Sequence, residues 1–511
     1  MASPATTVTD PPNEFDTDTD YGSDFSPEQE QIVEHLLSGK YAEDDNPIKN
    51  EVEHHDPRQS LRLPRMFGRE ERSPLFQAAR AAERIAEQIA HSITSGEQPD
   101  LSDRMDTVPG QEAIVQPPKE ETPDLRSPIE RFRTPPKKAL SVTDLVSPAW
   151  CELQYWYTLT KHGRKKRTPA MKEGTRVHKV LEEQVYTTVR VRVQTREDAW
   201  GLRIWNVIQG LRTLRDTGQT RELEIWGTID GMVVNGVIDE LSYTCPDTDL
   251  EESLQKSRDE PPPDQTTIAD FFEAAGAKSL EQATKSKRQT HSQKVYLCDV
   301  KTRSGRSVPS ASAFKPTKIQ LMLYHRLLSA LAANTVDFSI LASRYNLDAT
   351  KVLSDEFIIQ VGSLNDEVFY DTLAAPGSQD SALNGTQDSM SILLAHNTLN
   401  LLWSLMITEF QLTLPEGADS LGRILKAEYR SRDDGAIVGT KTLAMDDLEL
   451  ATFISREMEW WKGERQAEGV VVEEAFKCRS CDFADDCEWR IKKVEEAREK
   501  ARMSRRRTSA V

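Results

Sequence analysis

The chain has 511 residues, 37% of them hydrophobic, and a formal net charge of −18 at pH 7. It contains no long apolar run, which argues against a transmembrane helix, and its mean hydropathy of −0.58 is low for a chain that is folded throughout. Residues 1–60 hold 15 acidic and 3 basic side chains, so the overall acidity does not exclude a nucleic-acid partner for the rest of the chain.

The first 138 residues are predicted to lie outside the folded core. Residues 1–65 are acidic and polar, which predicts disorder, and residues 66–138 are predicted to form one helix, over 73–95, followed by a Pro-rich linker. The start of the chain has neither the Arg-rich, acid-poor character of a mitochondrial transit peptide nor the apolar segment of a secretion signal. These features favour a nuclear or cytoplasmic location.

Residues 139–492 are predicted to form one α/β core, which begins with a capping box at Ser141. The elements predicted after it are a helix starting near Thr175, strands over 223–228, 236–243 and 295–302, a helix over 318–331, a buried helix over 391–411, a hairpin of 423–431 and 436–443, and a helix over 445–464. Residues 246–294 are polar and Pro-containing, which predicts a disordered insertion, and residues 493–511 form a basic tail.

One short predicted strand carries Asp299 and Lys301 two positions apart, so both side chains project from the same face. A carboxylate in such a place can bind Mg²⁺ or Mn²⁺. The ammonium can orient an attacking water or offset charge on a scissile phosphate. Asp239 ends an apolar stretch of the preceding strand and is expected to meet Asp299 across neighbouring strands. Alone, this Asp-x-Lys pattern is weak, because it occurs by chance in many proteins.

Two predicted helices add polar residues at a spacing of four. His178 follows Gly174 and is a candidate ligand for the same metal, with Glu182 one turn later reaching the site through water. Gly174 is expected near a helix N-terminus, where it would let the backbone approach a phosphate. Gln320 and Tyr324 lie one turn apart and could position the phosphate or the water. For each residue alone, an ordinary surface or core role is the better interpretation.

Four of the six cysteines indicate a metal centre. Cys478, Cys481 and Cys487 are one ligand short of a four-coordinate site, and Cys151 is the candidate for the fourth. In an intracellular enzyme, this spacing indicates metal binding rather than disulfides. Four thiolates suit either a zinc ion or an iron–sulfur cluster. Either species would tie the two ends of the core together.

A basic run with aromatic neighbours is a candidate for binding nucleic acid. The basic residues are Arg164, Lys165, Lys166 and Arg167, and the aromatic ones are Trp150, Tyr155, Trp156 and Tyr157. Such alternation of cations and rings is typical of channels that hold single strands without sequence preference. Packing in the core explains the aromatic residues equally well.

The order of these motifs (helix His, strand Asp, strand Asp-x-Lys, helix Gln-x3-Tyr) resembles the RecB-type branch of the PD-(D/E)xK nucleases. With the bracketing cysteines, the chain is similar to the iron–sulfur members of that branch, and residues 236–241 (GVIDEL) and 475–483 (AFKCRSCDF) most resemble the exonuclease V family. No Walker A sequence is present, which excludes the helicase-bearing relatives. The resemblance covers residues 139–492 apart from the insertion.

The resemblance implies an α/β, restriction-endonuclease-like core, in which helices flank a mixed central sheet, with helical additions and a four-Cys iron–sulfur clasp. The implied catalytic residues are Asp239, Asp299, Lys301, Gln320 and Tyr324, the implied ligands of Mg²⁺ or Mn²⁺ are His178, Asp239 and Asp299, and the implied ligands of a [4Fe–4S] cluster are Cys151, Cys478, Cys481 and Cys487. Trp156, Gly174 and the basic run 164–167 are expected to contact the DNA.

The function that follows from the resemblance is digestion of single-stranded DNA from a free end by a monomeric enzyme. A structure-specific flap endonuclease is the rival enzyme, and it differs in cutting DNA whose ends are blocked. A scaffold that binds single-stranded DNA without turnover is the non-enzymatic rival. The sequence leaves the polarity of digestion and the choice between DNA and RNA open, and fungal-type relatives add a mitochondrial location to the nuclear one.

The polar insertion contains a candidate docking peptide. Gln265, Ile268, Phe271 and Phe272 match the pattern Q-x-x-[ILM]-x-x-[FY]-[FY]. This pattern resembles the box by which replication proteins bind the PCNA sliding clamp. One helical turn would place the three apolar side chains on one side, and two adjacent Phe in a polar segment need burial somewhere. Packing of both Phe on the nuclease core is the alternative.

Overall fold

The structure, a computed structural model, describes residues 60–65, 124–163, 168–259, 293–373 and 389–508. None of the helices in these ranges has the length and apolar character that crossing a bilayer requires.

Strands and helices are interspersed along the chain, as in an α/β fold. In order they are β1 (Ser60–Pro64), α1 (Pro128–Phe132), β2 (Leu140–Ser141), α2 (Val142–Val146), α3 (Glu152–His162), α4 (Pro169–Glu182), β3 (Tyr186–Arg190), α5 (Arg196–Thr217), β4 (Gln219–Ile229), β5 (Met232–Ser242), α6 (Thr248–Asp259), β6 (Tyr296–Arg303), α7 (Ala311–Ala332), α8 (Phe338–Tyr345), α9 (Asp355–Leu373), α10 (Ser389–Ala395), α11 (Leu399–Thr413), β7 (Ile424–Ser431), β8 (Ile437–Ala444), α12 (Asp447–Trp461) and α13 (Glu488–Thr508). Short 3₁₀ helices cover Ser147–Ala149, Gly417–Ser420 and Val472–Ser480.

The six-stranded sheet is mixed and is organised around β5. β4 pairs antiparallel along one edge of β5, while β2 (parallel) and β6 (antiparallel) share the opposite edge. β6 pairs parallel with β7, and β7 pairs antiparallel with β8. Helices flank this sheet, which confirms the predicted α/β class with a mixed central sheet. β1 and β3 form a separate two-stranded antiparallel sheet.

The main hydrophobic core joins the sheet to α5, α7 and α11. Trp205 on α5, Trp226 on β4 and Phe410 on α11 are among the largest fully buried side chains. α5 buries residues around most of its circumference, as expected for a helix that is covered on several sides. Arg212 donates to Glu409 at 2.6 Å, an ion pair that fixes α11 against α5.

Several predicted boundaries need correction. α4 begins at Pro169 after the N-cap Thr168, not near Thr175, because Pro is favoured in the first helical turn. Gly174 is therefore in the middle of α4, not at a helix N-terminus. The single buried helix predicted over 391–411 is two helices, because Thr398 caps a new start at Leu399.

The fold also begins earlier than residue 139. Arg133, just after α1, donates to both carboxylate oxygens of buried Asp144 at 2.9 and 2.6 Å, and the Tyr155 hydroxyl donates to the same carboxylate at 2.6 Å. α1 itself starts with a capping box of Ser127 and Glu130. The Pro-rich composition of this region hid a short helix that is tied to the core.

Two segments predicted to be disordered contain regular structure. Ser60–Pro64 forms β1, in which Leu61 and Leu63 are buried, because alternate residues of a strand face the same side. Within the predicted insertion, Thr248–Asp259 forms α6. The helix predicted over 73–95 lies outside the described residues.

Candidate active site

Three carboxylates form a row across neighbouring strands. The register of β4 on β5 places Glu222 opposite Asp239, and the register of β5 on β6 places Asp239 opposite Asp299. The regular pairing of β4 with β5 is interrupted at Glu222 and Asp239. The pairing of β5 with β6 ends at Glu240 and Cys298, one residue before Asp239 and Asp299 are reached. The expectation that Asp239 lies beside Asp299 on the next strand is thus met, and Glu222 is an addition that the sequence did not reveal.

Glu222 has a strained backbone. Its φ angle is 52°, in the left-handed region that side chains with a Cβ rarely adopt. Such a conformation costs about 1–2 kcal/mol per residue. Residues held in this way concentrate at functional sites, where the surrounding structure supports them. The strain therefore points to a function for the Glu222 carboxylate.

His178 on α4 faces two of these carboxylates. Its Nδ1 lies 3.1 Å from Glu222 Oε1 and 3.8 Å from Asp239 Oδ1. Its Nε2 lies 3.2 Å from the Val300 carbonyl oxygen. Because a carbonyl can only accept, Nε2 carries the proton in that bond. Nδ1 can bond to the Glu222 carboxylate only as an N–H donor, so a metal ion bound here would take the place of that proton.

His178, Glu222 and Asp239 form the one group of three or more potential metal ligands, among the residues described, whose ligand atoms all lie within 4.8 Å of one another. Asp299, which the sequence predicted as the third ligand, is outside this group. An imidazole and two carboxylates are a donor set that suits Mn²⁺ and, through the carboxylates, Mg²⁺.

Asp299 and Lys301 form a buried pair on β6. The Lys301 ammonium lies 3.1 Å from both carboxylate oxygens and donates a hydrogen bond to Oδ1, whereas Oδ2 is buried and accepts none. Burial, together with the charge of Asp239, raises the pKa of Asp299 to about 7, although Lys301 opposes the shift. Oδ2 thus faces the Lys301 ammonium without a hydrogen bond and has lone pairs that a cation could also engage.

Asp239 also has an unusual environment. Its Oδ2 accepts a hydrogen bond of 2.6 Å from the Val300 amide, which is freed where the pairing of β5 and β6 ends. Burial raises the pKa of Asp239, the positive charge of protonated His178 lowers it, and the negative charge of Glu222 raises it again. The negative charges of these carboxylates therefore favour binding of a cation between them.

Gln320 and Tyr324 lie one turn apart on α7, as predicted, and both are buried. Gln320 Nε2 donates to the Tyr324 hydroxyl at 2.9 Å, and Gln320 Oε1 is buried without a hydrogen-bond partner. Tyr324 packs on Gly236 of β5, where a Cβ would come within 2.8 Å of the ring. Glycine at this position thus lets α7 approach the sheet, and the catalytic roles of Gln320 and Tyr324 stay predictions.

The four predicted cluster ligands line one cavity. Cys151 precedes α3, Cys478 and Cys481 lie at the end of the 3₁₀ helix Val472–Ser480, and Cys487 precedes α13. Burial raises the pKa of Cys151 to about 11 and also raises the pKa values of Cys478 and Cys481. In the described part of the chain, no three of these thiols lie within 4.8 Å of one another.

The two sides of this cavity are also joined without the cysteines. Glu152 accepts from Arg465 at 2.7 and 2.6 Å, and the Leu153 amide donates to the Glu468 carbonyl at 3.1 Å. Buried Lys477 donates to the Trp150 carbonyl at 3.1 Å, with its ammonium 4.5 Å from the centre of the Trp150 ring. The C-terminal segment is therefore docked on the start of α3.

The predicted DNA contacts have mixed outcomes. Arg164, Lys165, Lys166 and Arg167 lie outside the described residues, as does the docking box with Gln265, Ile268, Phe271 and Phe272. Trp156 is half-buried and makes edge contacts with Phe132 and Trp460, which corresponds to the packing alternative. Gly174 is inside α4 and buried, so it does not offer a helix terminus to phosphate.

Comparison with known proteins points to one family. A family model described as "Exonuclease V - a 5' deoxyribonuclease" matches residues 127–490. "Exonuclease V" of Danio rerio is 25% identical over 368 residues, which cover 71% of this chain and 73% of that protein. "Exonuclease V, mitochondrial" of Eremothecium gossypii is 26% identical over 425 residues, which cover 70% of this chain and 77% of that protein.

Proposed function

The chain belongs to the exonuclease V family, and on this premise we propose that it digests single-stranded DNA from a free end by metal-dependent hydrolysis of phosphodiester bonds. The family is described as a 5′ deoxyribonuclease, which favours the 5′ end as the starting point. The observation that carries the proposal is the row of Glu222, Asp239 and Asp299 with His178 at its end, because it combines a metal-binding donor set with a buried lysine.

In this proposal, His178, Glu222 and Asp239 hold a Mg²⁺ or Mn²⁺ ion, and Asp299 adds Oδ2, which accepts no hydrogen bond. The donor set fits such an ion, since oxygen ligands predominate and His178 Nδ1 would become a ligand once the ion displaces its proton. A bound divalent ion would act as a Lewis acid toward the scissile phosphate and offset the charge that builds on it.

Lys301 supplies the other positive charge of the site. Its ammonium is buried and lies 3.1 Å from the Asp299 carboxylate, so it is held in one orientation before the substrate arrives. A preorganised donor in a poorly hydrated site stabilises a developing negative charge more than the same donor in water does. We assign to Lys301 the stabilisation of negative charge in the transition state. We assign to Gln320 and Tyr324 the positioning of the water or the phosphate.

We further propose that Cys151, Cys478, Cys481 and Cys487 hold a [4Fe–4S] cluster as a structural clasp. The lining of one cavity by all four thiols supports a common group. Four thiolates suit either a zinc ion or an iron–sulfur cluster, and the resemblance to the iron–sulfur nucleases favours the cluster. Iron and sulfide analysis of anaerobically purified protein, with zinc measured in parallel, tests this assignment.

The proposal extends to a partner and a location. The box formed by Gln265, Ile268, Phe271 and Phe272 is proposed to bind a PCNA-type sliding clamp. A peptide of residues 262–276 that fails to bind the clamp, under conditions in which a known box peptide binds, would exclude it. Relatives from Eremothecium gossypii, Candida glabrata and Clavispora lusitaniae are named mitochondrial, which supports a mitochondrial location. Cell fractionation with organelle markers distinguishes this location from the nucleus.

The proposed activity is tested by comparing linear and circular single-stranded DNA. With Mg²⁺, the protein should shorten 5′-labelled linear strands from the labelled end and leave circular strands of the same sequence intact, and chelation should stop the digestion. Cleavage of the circular strands would instead identify a structure-specific endonuclease. Binding of both substrates without cleavage of either would favour the non-catalytic scaffold.

A further inference from the structure

The strand β1 is a separate contributor to the region around the active site. It lies outside residues 127–490, which match the family, yet it pairs along its whole length with β3. The side chains of its Leu61 and Leu63 are buried in the core. Asn206 on α5 accepts from the Arg62 amide at 3.0 Å and donates to the Ser60 carbonyl at 2.9 Å. β1 is thus anchored on both of its edges.

Arg62 in the middle of β1 connects two parts of the active site. Its Nε donates to Glu182 Oε1 at 2.7 Å, and its Nη1 donates to the backbone carbonyl of Glu222 at 2.7 Å. The pKa of Arg62 is raised, because the charges of Glu182 and Glu222 outweigh the opposing effect of burial. The guanidinium therefore stays charged and bridges α4 and β4.

Both acceptors are important for the geometry of the proposed metal ligands. Glu182 lies one turn after His178 on α4, so its bond to Arg62 restrains the helix that carries the imidazole. The Glu222 carbonyl belongs to the residue whose backbone is strained at φ 52°. The prediction that Glu182 reaches the metal is replaced by this role, because its carboxylate is bound to Arg62.

We propose that Arg62 is a positioning residue of the metal site, and that β1 holds Glu222 and His178 at the separation that the ion requires. The inference rests on the proposed function only in taking His178, Glu222 and Asp239 as the ligands. Arg62 contacts neither the reacting atoms nor, in this arrangement, the ion. Its effect passes through the Glu222 backbone and the last turn of α4.

The experiment measures Mn²⁺ binding by full-length protein without DNA, using the electron paramagnetic resonance signal of free Mn²⁺. Arg62→Gln should weaken Mn²⁺ binding by about 10-fold or more, the usual effect of losing a partner that orients a metal ligand. Arg62→Lys should restore little of it, because one ammonium cannot reproduce the two-pronged contact of a guanidinium.

Arg65→Gln is the matched control. Arg65 lies just after β1 and donates to Thr187 on β3 at 3.2 Å, whereas Arg62 donates to Glu182 and to the Glu222 carbonyl. This variant should keep the Mn²⁺ affinity of the parent protein. Equal Mn²⁺ affinity of Arg62→Gln and Arg65→Gln, with both folded by circular dichroism, would show that Arg62 only stabilises the fold and would overturn the inference.

A second variant covers the case in which Arg62→Gln does not fold. Glu182→Gln keeps an acceptor for Arg62 but removes its charge, so it should fold and weaken Mn²⁺ binding to a smaller degree. Unchanged Mn²⁺ affinity in this variant would contradict the inference. Failure of the proposed function itself would be recognised by a different result. Asp239→Asn would then bind Mn²⁺ and cleave DNA as well as the parent protein does.

Discussion

Glu222 and Asp239 bring like charges close together where the pairing of β4 with β5 is interrupted, and facing like charges destabilise a sheet. The strained backbone of Glu222 adds to that cost. Both costs are offset when a cation is bound between the carboxylates. At the scale of single residues, the site is therefore best understood as a place where stability has been given up for metal binding.

The first prediction concerns Glu222. Glu222→Gln should weaken Mg²⁺-dependent cleavage by at least about 10-fold, because the amide is a poorer ligand than the carboxylate. The variant should also unfold at a higher temperature than the parent in the absence of metal, since one of two opposed charges is removed. Cleavage assays over a Mg²⁺ series and thermal melts in chelator check both parts. Unchanged cleavage at every Mg²⁺ concentration would exclude Glu222 as a ligand.

The second prediction concerns Asp299 and Lys301. Asp299→Ala and Lys301→Ala should each abolish cleavage but retain binding of single-stranded DNA, because both side chains are buried in the site and little exposed to a bound strand. Fluorescence anisotropy with a labelled strand measures binding, and gel assays measure cleavage. Full activity of either variant would refute the assignment.

At the scale of elements, sequence patterns located the strands of the site well. The strands predicted over 223–228, 236–243 and 295–302 correspond to β4, β5 and β6, and they carry Asp239, Asp299 and Lys301 as expected. Glu222 was missed because its role depends on the register of β4 against β5 and on a left-handed backbone, neither of which a local pattern encodes. β1 was missed because five residues in a polar segment give no periodic signal until they meet β3.

The third prediction concerns the short helix α1. Arg133→Met should destabilise the protein by about 3–5 kcal/mol, because it leaves the buried Asp144 carboxylate without its charged partner. Arg131→Met, on the same helix, is the control, since Arg131 pairs with the partly exposed Asp124. Denaturant unfolding followed by circular dichroism measures both. Equal stabilities of the two variants would show that the buried Arg133–Asp144 pair does not stabilise the fold.

The fourth prediction concerns Glu457 on α12. Burial, helped by the charge of Glu152, raises the pKa of Glu457 to about 8. The native state therefore binds this proton more tightly than the unfolded state, and the associated stability is complete below pH 4.5 and is lost as the pH rises toward 8. Each pKa unit corresponds to about 1.4 kcal/mol. Glu457→Gln should remove this decline.

The measurement is the unfolding free energy between pH 5 and pH 8. It should fall less steeply in Glu457→Gln than in the parent protein, whereas Glu459→Gln, at an exposed position of the same helix, should follow the parent. Parallel pH profiles of the parent protein and Glu457→Gln would show that the buried carboxylate is not protonated in the native state.

At the scale of the whole molecule, the beginning and the end of the core pack against each other. Residues near Cys151 and residues 465–487 meet around the cysteine cavity, more than 300 positions apart in sequence. The Glu152–Arg465 ion pair and the Leu153–Glu468 hydrogen bond join the same two regions. The proposed cluster thus reinforces a contact that the protein chain already makes, and it is separate from the row of carboxylates where cleavage is expected.

The fifth prediction concerns the cysteine cavity between these two regions. Cys478→Ser should lose bound iron and should also lower both the melting temperature and the affinity for single-stranded DNA, because the clasp shapes the surface beside α3. Cys245→Ser, outside the cavity, should keep its iron and its DNA affinity. Retention of iron by Cys478→Ser, measured by absorbance and metal analysis, would remove Cys478 from the ligand set.

The most direct test of the proposed active site is the behaviour of Asp239→Asn on end-labelled single-stranded DNA in Mg²⁺, measured beside the parent protein for both binding and cleavage. Asp239 is close enough to Glu222 and Asp299 for their charges to interact, and its Oδ1 lies 3.8 Å from His178 Nδ1, so the carboxylates and the imidazole of the proposed site meet at this residue. The expected result is binding equal to that of the parent with no digestion. Digestion by Asp239→Asn at the parental rate would contradict the proposed site.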